Sequence, residues 1–269
     1  MFNLQVAMFE NRIVFVSGSG RGIGATIALH FASLGADVVV NYFRNRQPAE
    51  ETADSIRKLG RKALVVKANM GVIEDIDRLF ETVEQEYHGL DIFIHNAASG
   101  YNRSVMEQKA KGWDWTMNIN ARSLLFAAQR VVPLMESRGG GSIVTISSPG
   151  AGRVLPEYVV VGASKAAIEA ITRYLAVELA SKNIVVNAVA PGMVLTDALQ
   201  HFEMVRSDVH LAEKATRITP AGRLVTPQDV AQVVAFLCSP QAHMIRGQVI
   251  TVDGGAALLA PGLEQPPGD

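Results

Sequence analysis

Ile13-Val14-Phe15-Val16-Ser17-Gly18-Ser19-Gly20-Arg21-Gly22-Ile23-Gly24 carries a short apolar run into a glycine-rich turn, and the turn into an amphipathic segment, Ile23–Leu34. The order strand, tight turn, helix is what a dinucleotide pyrophosphate needs. Glycines let the backbone turn sharply and approach the phosphates, which rest on the free N–H groups that open the helix. Gly18, Ser19, Gly20, Arg21, Gly22, Ile23 and Gly24 are therefore candidate cofactor residues, and a looser Gly-x-Gly-x-x-Ala match runs through Gly20, Gly22 and Ala25. A glycine-rich loop alone is equally a plain surface turn; the strand before it and the helix after it argue for the functional reading.

Working outward, short β-branched runs alternate with helical stretches, the pattern of βαβ units around a parallel sheet. Strands are predicted at Ile13–Ser17, Asp37–Asn41, Ala63–Lys67, Asp91–His95, Ser142–Ile146, Ile184–Ala190 and Gln248–Val252. Runs such as Val38-Val39-Val40 and Ile143-Val144 suit strands buried on both faces. A helix begins near Pro48 with Glu50 and Glu51 in its first turn, and another spans Asp75–Tyr87. Two long apolar helices, Asn120–Glu136 and Val159–Ala180, need burial on more than one side, which predicts a homo-oligomer. The fold class that follows is α/β: a Rossmann fold with a doubly wound, parallel, seven-stranded sheet flanked by helices. Residues 1–269 read as one domain, with 1–10 a lead-in, about 197–217 a substrate lid and 261–269 a flexible tail.

Composition narrows the function. Net charge is −1, with no basic stripe to neutralise phosphates, so nucleic acid is not an expected partner. Cys238 is the single cysteine, which fits a reducing cytoplasm. No run reaches the length of a membrane helix, and the first residues lack the basic segment of a signal peptide. His88, His201, His210 and His243 show no metal-ligand spacing, so no metal is expected.

Sites specific for NAD place an acid at the end of the second strand, against the ribose 2′-hydroxyl. Here that strand ends Val40-Asn41-Tyr42-Phe43-Arg44, with no acid. Arg21 and Arg44 supply two cations for a 2′-phosphate, which favours NADPH, with Tyr42 beside them; the alternative for Arg44 is a solvated loop charge.

From about Arg12 to Gly255 the chain resembles the short-chain dehydrogenase/reductase family. The resemblance rests on the glycine turn, Asn69-Met70, His95-Asn96-Ala97-Ala98, Met117-Asn118-Ile119-Asn120, Ser147-Ser148, Ala163-Ser164-Lys165-Ala166, Pro191-Gly192 with Thr196, and Asp253-Gly254-Gly255. It implies that Asn69 and Met70 cradle adenine, that Asn96 and Ala97 face the cofactor, and that Pro191, Gly192, Val194 and Thr196 meet its pyrophosphate and carboxamide. His95 stands where that family has asparagine, and Tyr101 where a smaller residue is expected.

One departure bears on the reaction. The family pairs Tyr-x-x-x-Lys, yet position 161 is Val161, and the upstream tyrosine is Tyr158, seven residues before Lys165. Both spacings keep tyrosine and lysine on one helical face. The earlier hydroxyl suits conjugated enoyl thioesters, whose oxyanion develops two bonds beyond the carbon that receives hydride. Tyr-x6-Lys resembles the enoyl-acyl-carrier-protein reductases, and the stretches Trp113–Asn120, Thr172–Leu179, Thr219–Arg223 and Met244–Gln248 resemble their NADPH-dependent L type.

That resemblance implies Tyr158 as proton donor and oxyanion partner, and Lys165 as holder of the nicotinamide ribose that also lowers the tyrosine pKa. Ser148 either binds substrate or bonds locally at the strand end; Asn120 either anchors a water near Lys165 or caps a helix. The expected substrate is an enoyl chain on acyl carrier protein, with coenzyme A thioesters as surrogates. Arg103, Arg122 and Arg223 are candidates for receiving that acidic carrier, and a homotetramer is the implied assembly. Two rivals stand: a reductase of ketoacyl thioesters or ring ketones using the same tyrosine, and a catalytically silent NADP(H)-binding protein.

Overall fold

The computed structural model describes residues 8–194 and 211–259. Seven parallel strands form one sheet: β1 (Ile13–Val16), β2 (Asp37–Tyr42), β3 (Ala63–Lys67), β4 (Ile92–His95), β5 (Gly141–Ile146), β6 (Ile184–Pro191) and β7 (Val249–Val252). Their order is β3-β2-β1-β4-β5-β6-β7. Each predicted strand is present with ends shifted by no more than one residue.

Both faces of the sheet are buried, and the side chains sort by period two. Val14, Val16, Val38, Val40, Ile94, Val144 and Ile146 enter one apolar layer, completed by α1 (Gly22–Ser33) and α2 (Arg46–Lys58). Ile13, Phe15, Val39, Phe93, Ile143 and Val186 enter the other, under α3 (Ile73–Tyr87), α5 (Ser123–Glu136) and α6 (Val159–Glu178). In that second layer Phe15 stacks on Phe93 at 5.2 Å between ring centres, and Phe80 meets both edge-on.

Two helices differ from expectation. α2 starts at Arg46, placing Pro48 inside its first turn, where a missing N–H leaves no bond unmade. Glu50 and Glu51 consequently fall one turn later, and Glu50 pairs with Arg46 at 2.9 Å. The helix predicted at Asn120 is preceded by α4 (Ala110–Met117), and a π-helical turn over Asn118–Arg122 joins α4 to α5.

After β6, α7 (Leu211–Ile218) and α8 (Pro227–Leu237) lead to β7. α8 opens with a reciprocal cap: Thr226 Oγ1 accepts the Asp229 N–H, and the Asp229 carboxylate accepts the Thr226 N–H. Of the expected lid, 211–217 belong to α7, while 197–210 lie outside the described residues, as do Thr196, His201, His210 and the tail 261–269. Among the described residues no helix is long and apolar enough to cross a membrane.

β1 lies between β2 and β4, so the direction of winding reverses there. The crevice at the carboxyl ends of β1 and β4 is where such sheets bind ligands.

Candidate active site

The glycine turn is fixed by short buried polar side chains. Gly18 and Gly22 adopt φ of 64° and 56°, which glycine reaches without strain. A Cβ on Gly24 would lie 2.5 Å from both Asn96 Nδ2 and the Gly18 carbonyl oxygen, so helix and turn close only on glycine. Ser17 Oγ accepts the N–H groups of Asn96 (3.0 Å) and Ala97 (2.9 Å). Asn96 Nδ2 donates to the carbonyls of Ser17 (2.9 Å) and Gly18 (3.2 Å). Ser19 Oγ donates to the Val16 carbonyl (2.7 Å) and accepts the Asn41 N–H (3.0 Å).

Asn41 completes this frame. Its Oδ1 accepts the Gly18 N–H at 3.0 Å, and its Nδ2 donates to the carbonyls of Val66 and Ala68 at 3.3 and 3.2 Å. The sequence registers at this strand end only that an acid is missing; the asparagine in fact ties the turn to β3. An amide directly after the run Val38-Val39-Val40 was the available signal, because a buried polar group needs partners.

Arg21 precedes α1 and provides no side-chain cap, and no acid stands in the first turn, so the opening N–H groups of α1 are left for an anion. Arg44, beyond β2, lies over the rings of Phe43 (5.7 Å) and Trp115 (5.9 Å). Tyr42 is half-buried at the end of β2, its strand partner being Lys67. Asn69 and Met70 are buried after β3. The Asn69 N–H donates to Asp75 and its Oδ1 accepts the Gly71 N–H, which fixes that loop.

The opposite wall comes from β4, β5 and α6. Asn120 is fully buried in the π-helical turn. Its Nδ2 donates to the Ser99 carbonyl (2.9 Å) and Ser164 Oγ (2.8 Å), and its Oδ1 accepts the Ser99 N–H (2.8 Å). Asn120 therefore joins the loop after β4 to α6, a role that neither of its sequence readings contains. Ser148 Oγ accepts the Gly150 N–H at 3.2 Å and also bonds to Tyr158, so this serine and tyrosine meet.

Glu157, at φ 58°, turns the chain into α6 immediately before Tyr158. The Tyr158 ring packs on Gly150, where a Cβ would be 2.6 Å from Cε1. Val161 is buried against Gly100, whose absent side chain makes room for it. Burial raises the Tyr158 phenol above its ordinary value, and the hydrogen bond from Ser148 opposes that shift. The sequence expectation gave that opposing role to Lys165; the correction follows from Ser148 being the hydroxyl's partner.

Lys165 is buried, and burial lowers its ammonium to about 8. Its Nζ donates to the Ile146 carbonyl at 2.6 Å, at the end of β5. His95 is buried as well, its Nε2 2.7 Å from Ser123 Oγ. Ser123 gives its own proton to the Ile119 carbonyl, so it accepts from His95 Nε2–H. Burial, then the charge of Lys165, push His95 down to about 3, and it is neutral at physiological pH. At the far side, the Gly192 N–H donates to the Val252 carbonyl after Pro191, and Val194 bridges to Val225.

Bare backbone at the start of α1, glycines admitting no Cβ, and a buried lysine bonded at the end of β5 together fit a nicotinamide dinucleotide. Known proteins agree. A family model described as Enoyl-(Acyl carrier protein) reductase matches residues 18–257. The chain is 37% identical to 1-cyclohexenylcarbonyl-CoA reductase of Streptomyces collinus, over 94% of this chain and 89% of that protein. It is 36% identical to the hydroxynaphthalene reductase-like protein Arp2 of Metarhizium anisopliae, over 91% and 94% of the two chains. Among solved structures, 7α-hydroxysteroid dehydrogenase complexed with NADH and 7-oxo glycochenodeoxycholic acid superposes with a TM-score of 0.87, 34% identity and coverage of 95% and 98%. L-sorbose reductase of Gluconobacter frateurii, complexed with NADPH and L-sorbose, gives a TM-score of 0.88, 29% identity and coverage of 96% and 100%. The chain belongs to the short-chain dehydrogenase/reductase superfamily and is one of its NAD(P)-dependent reductases.

Proposed function

We propose that the protein reduces the carbon–carbon double bond of α,β-unsaturated thioesters with NADPH. The observation that carries this reading is the placement of the phenol: Tyr158 bonds to Ser148, while Val161 fills the position four residues before Lys165. The glycine turn would hold NADPH, whose chemistry when bound would be donation of a hydride to the β-carbon. Tyr158 holds the thioester oxygen as negative charge gathers there, and Ser148 orients the hydroxyl. Lys165, protonated below about 8 in its buried site, adds positive charge and holds the ribose hydroxyls. A proton added at the α-carbon completes the saturated thioester.

The relative named for 1-cyclohexenylcarbonyl-CoA supports this reading, since that compound is itself a thioester conjugated to a double bond. Acyl carrier protein is the proposed natural carrier, with coenzyme A thioesters as surrogates. Arg103 and Arg122 are candidates to receive it; Arg223 is already held by Asp229 at 2.6 and 2.9 Å. The lack of an acid after β2, with Arg44 there instead, supports NADPH. Exposed Leu125, Tyr174 and Val177 on α5 and α6 support packing of subunits into a homotetramer.

A second reading has its own observation. The Ser148–Tyr158 contact is also what a ketone reductase uses to hold a carbonyl oxygen, and a hydroxynaphthalene reductase-like protein is among the relatives. Crotonyl and acetoacetyl thioesters assayed side by side with NADPH separate the two. Crotonyl turnover is expected, with kcat falling roughly a hundredfold or more in Tyr158→Phe. Turnover of the keto compound alone would overturn the proposal, and full activity in Tyr158→Phe would remove the mechanism.

A further inference from the structure

We infer that Trp115 is a positioning residue that sets the preference for the phosphorylated dinucleotide by holding Arg44. The inference rests on the reading that Arg44 meets the 2′-phosphate. Arg44 has no carboxylate within 4.0 Å among the described residues. Two aromatic faces hold it instead, with its guanidinium carbon 5.7 Å from the Phe43 ring and 5.9 Å from the Trp115 ring. The two rings stand 6.4 Å apart at 47°. Phe43 adjoins Arg44 in sequence, whereas Trp115 reaches it from α4, which follows β4 in the chain.

The means of holding matters. A carboxylate would neutralise the guanidinium and occupy its N–H edge. An aromatic face takes the flat face instead and leaves both the charge and the in-plane donors for a phosphate. A long exposed arginine also loses rotamer freedom on binding, and one already held loses less.

Trp115 is itself fixed. Its Nε1–H donates to Ser99 Oγ at 2.9 Å, and Ser99 is bonded through both its N–H and its carbonyl to Asn120. Asn120 continues to Ser164, the neighbour of Lys165. The indole is thus braced against the catalytic helix while its ring meets Arg44.

The test measures dissociation constants for NADPH and NADH in the full-length protein and in Arg44→Ala, Trp115→Leu, Trp115→Phe and the double variant Arg44→Ala/Trp115→Leu. Trp115→Leu is expected to weaken NADPH about three- to tenfold while moving NADH less than about twofold. Trp115→Phe, which keeps an aromatic face, should retain most of the preference. In the Arg44→Ala background Trp115→Leu should have no further effect on NADPH. Equal weakening of both cofactors would overturn the inference, since it means that the indole contacts their shared adenosine or only supports the fold. An Arg44→Ala protein with unchanged preference would remove the phosphate reading itself. Arg44→Ala abolishing the preference while Trp115→Leu preserves it would remove Trp115 alone.

Discussion

The glycine turn after β1 and the tyrosine–lysine pair at the start of and within α6 are held by different means. Around the turn, the buried Ser17, Ser19 and Asn41 and the half-buried Asn96 bond to main-chain groups through short, non-titrating side chains. At the other wall, Tyr158 meets a second side chain, Ser148, and follows a residue in the left-handed region; Lys165 keeps an ammonium inside the protein. The first arrangement depends on backbone geometry and is indifferent to which reaction occurs. The second depends on a few exchangeable side chains. Placing the hydroxyl one turn earlier requires a valine at 161 and a glycine at 100 to receive it, and leaves the turn untouched.

The largest effect that would break this contrast is Gly24→Ala. Its methyl meets Asn96 and the Gly18 carbonyl at 2.5 Å, two groups that are themselves bonded and cannot retreat. Loss of dinucleotide binding is expected, with destabilisation of about 3 kcal/mol in urea unfolding. An alanine variant that binds NADPH normally would show the cradle to be as adaptable as the opposite wall.

Next comes pH. Lys165 is protonated below about 8 and loses its charge above it, so kcat should fall about tenfold per pH unit on the alkaline side. Lys165→Arg, which stays charged, should move that limb upward or abolish it. A flat profile to pH 10 would mean that the ammonium does not take part.

The smallest effect concerns stability in acid. His95 titrates near 3 when folded and near its ordinary 6.5 when unfolded, so the unfolded chain binds the extra proton as pH drops. The contribution of this site is complete above about 6.5 and declines below it, by at most about 1.4 kcal/mol per pH unit. His95→Asn should flatten the acid side of the unfolding curve by about one proton. An unchanged slope would place the acid sensitivity elsewhere.

How much was legible follows from the physics of each region. Strand positions were readable because parallel strands buried on both faces need uninterrupted apolar runs, as in Val38–Val40. The glycine turn was readable because φ and close approach restrict residue type. The start of α2 was missed because Pro48 fits inside a first turn as well as at its start. Asn41 was noticed only as a missing acid, since its partners Gly18, Val66 and Ala68 are brought together by three strands. The influence of Lys165 on the phenol was misjudged because Ser148, just past the end of β5, is the group that bonds to the hydroxyl and opposes its shift. The contact of Trp115 with Arg44 was not legible, since nothing in its neighbourhood in sequence points to that arginine.

The π-helical turn over Asn118–Arg122 is where the chain between α4 and α5 carries one residue more than a regular helix would. A π turn holds one residue more than an α turn, so removing one residue here would restore regular helix while α4 and α5 keep their own faces. The widened turn that carries Asn120 to Ser99 and Ser164 would be lost, and with it the brace between the loop after β4 and α6. Length, as well as residue identity, is therefore constrained in this stretch, and a chain one residue shorter here would need a different way to seat its lysine.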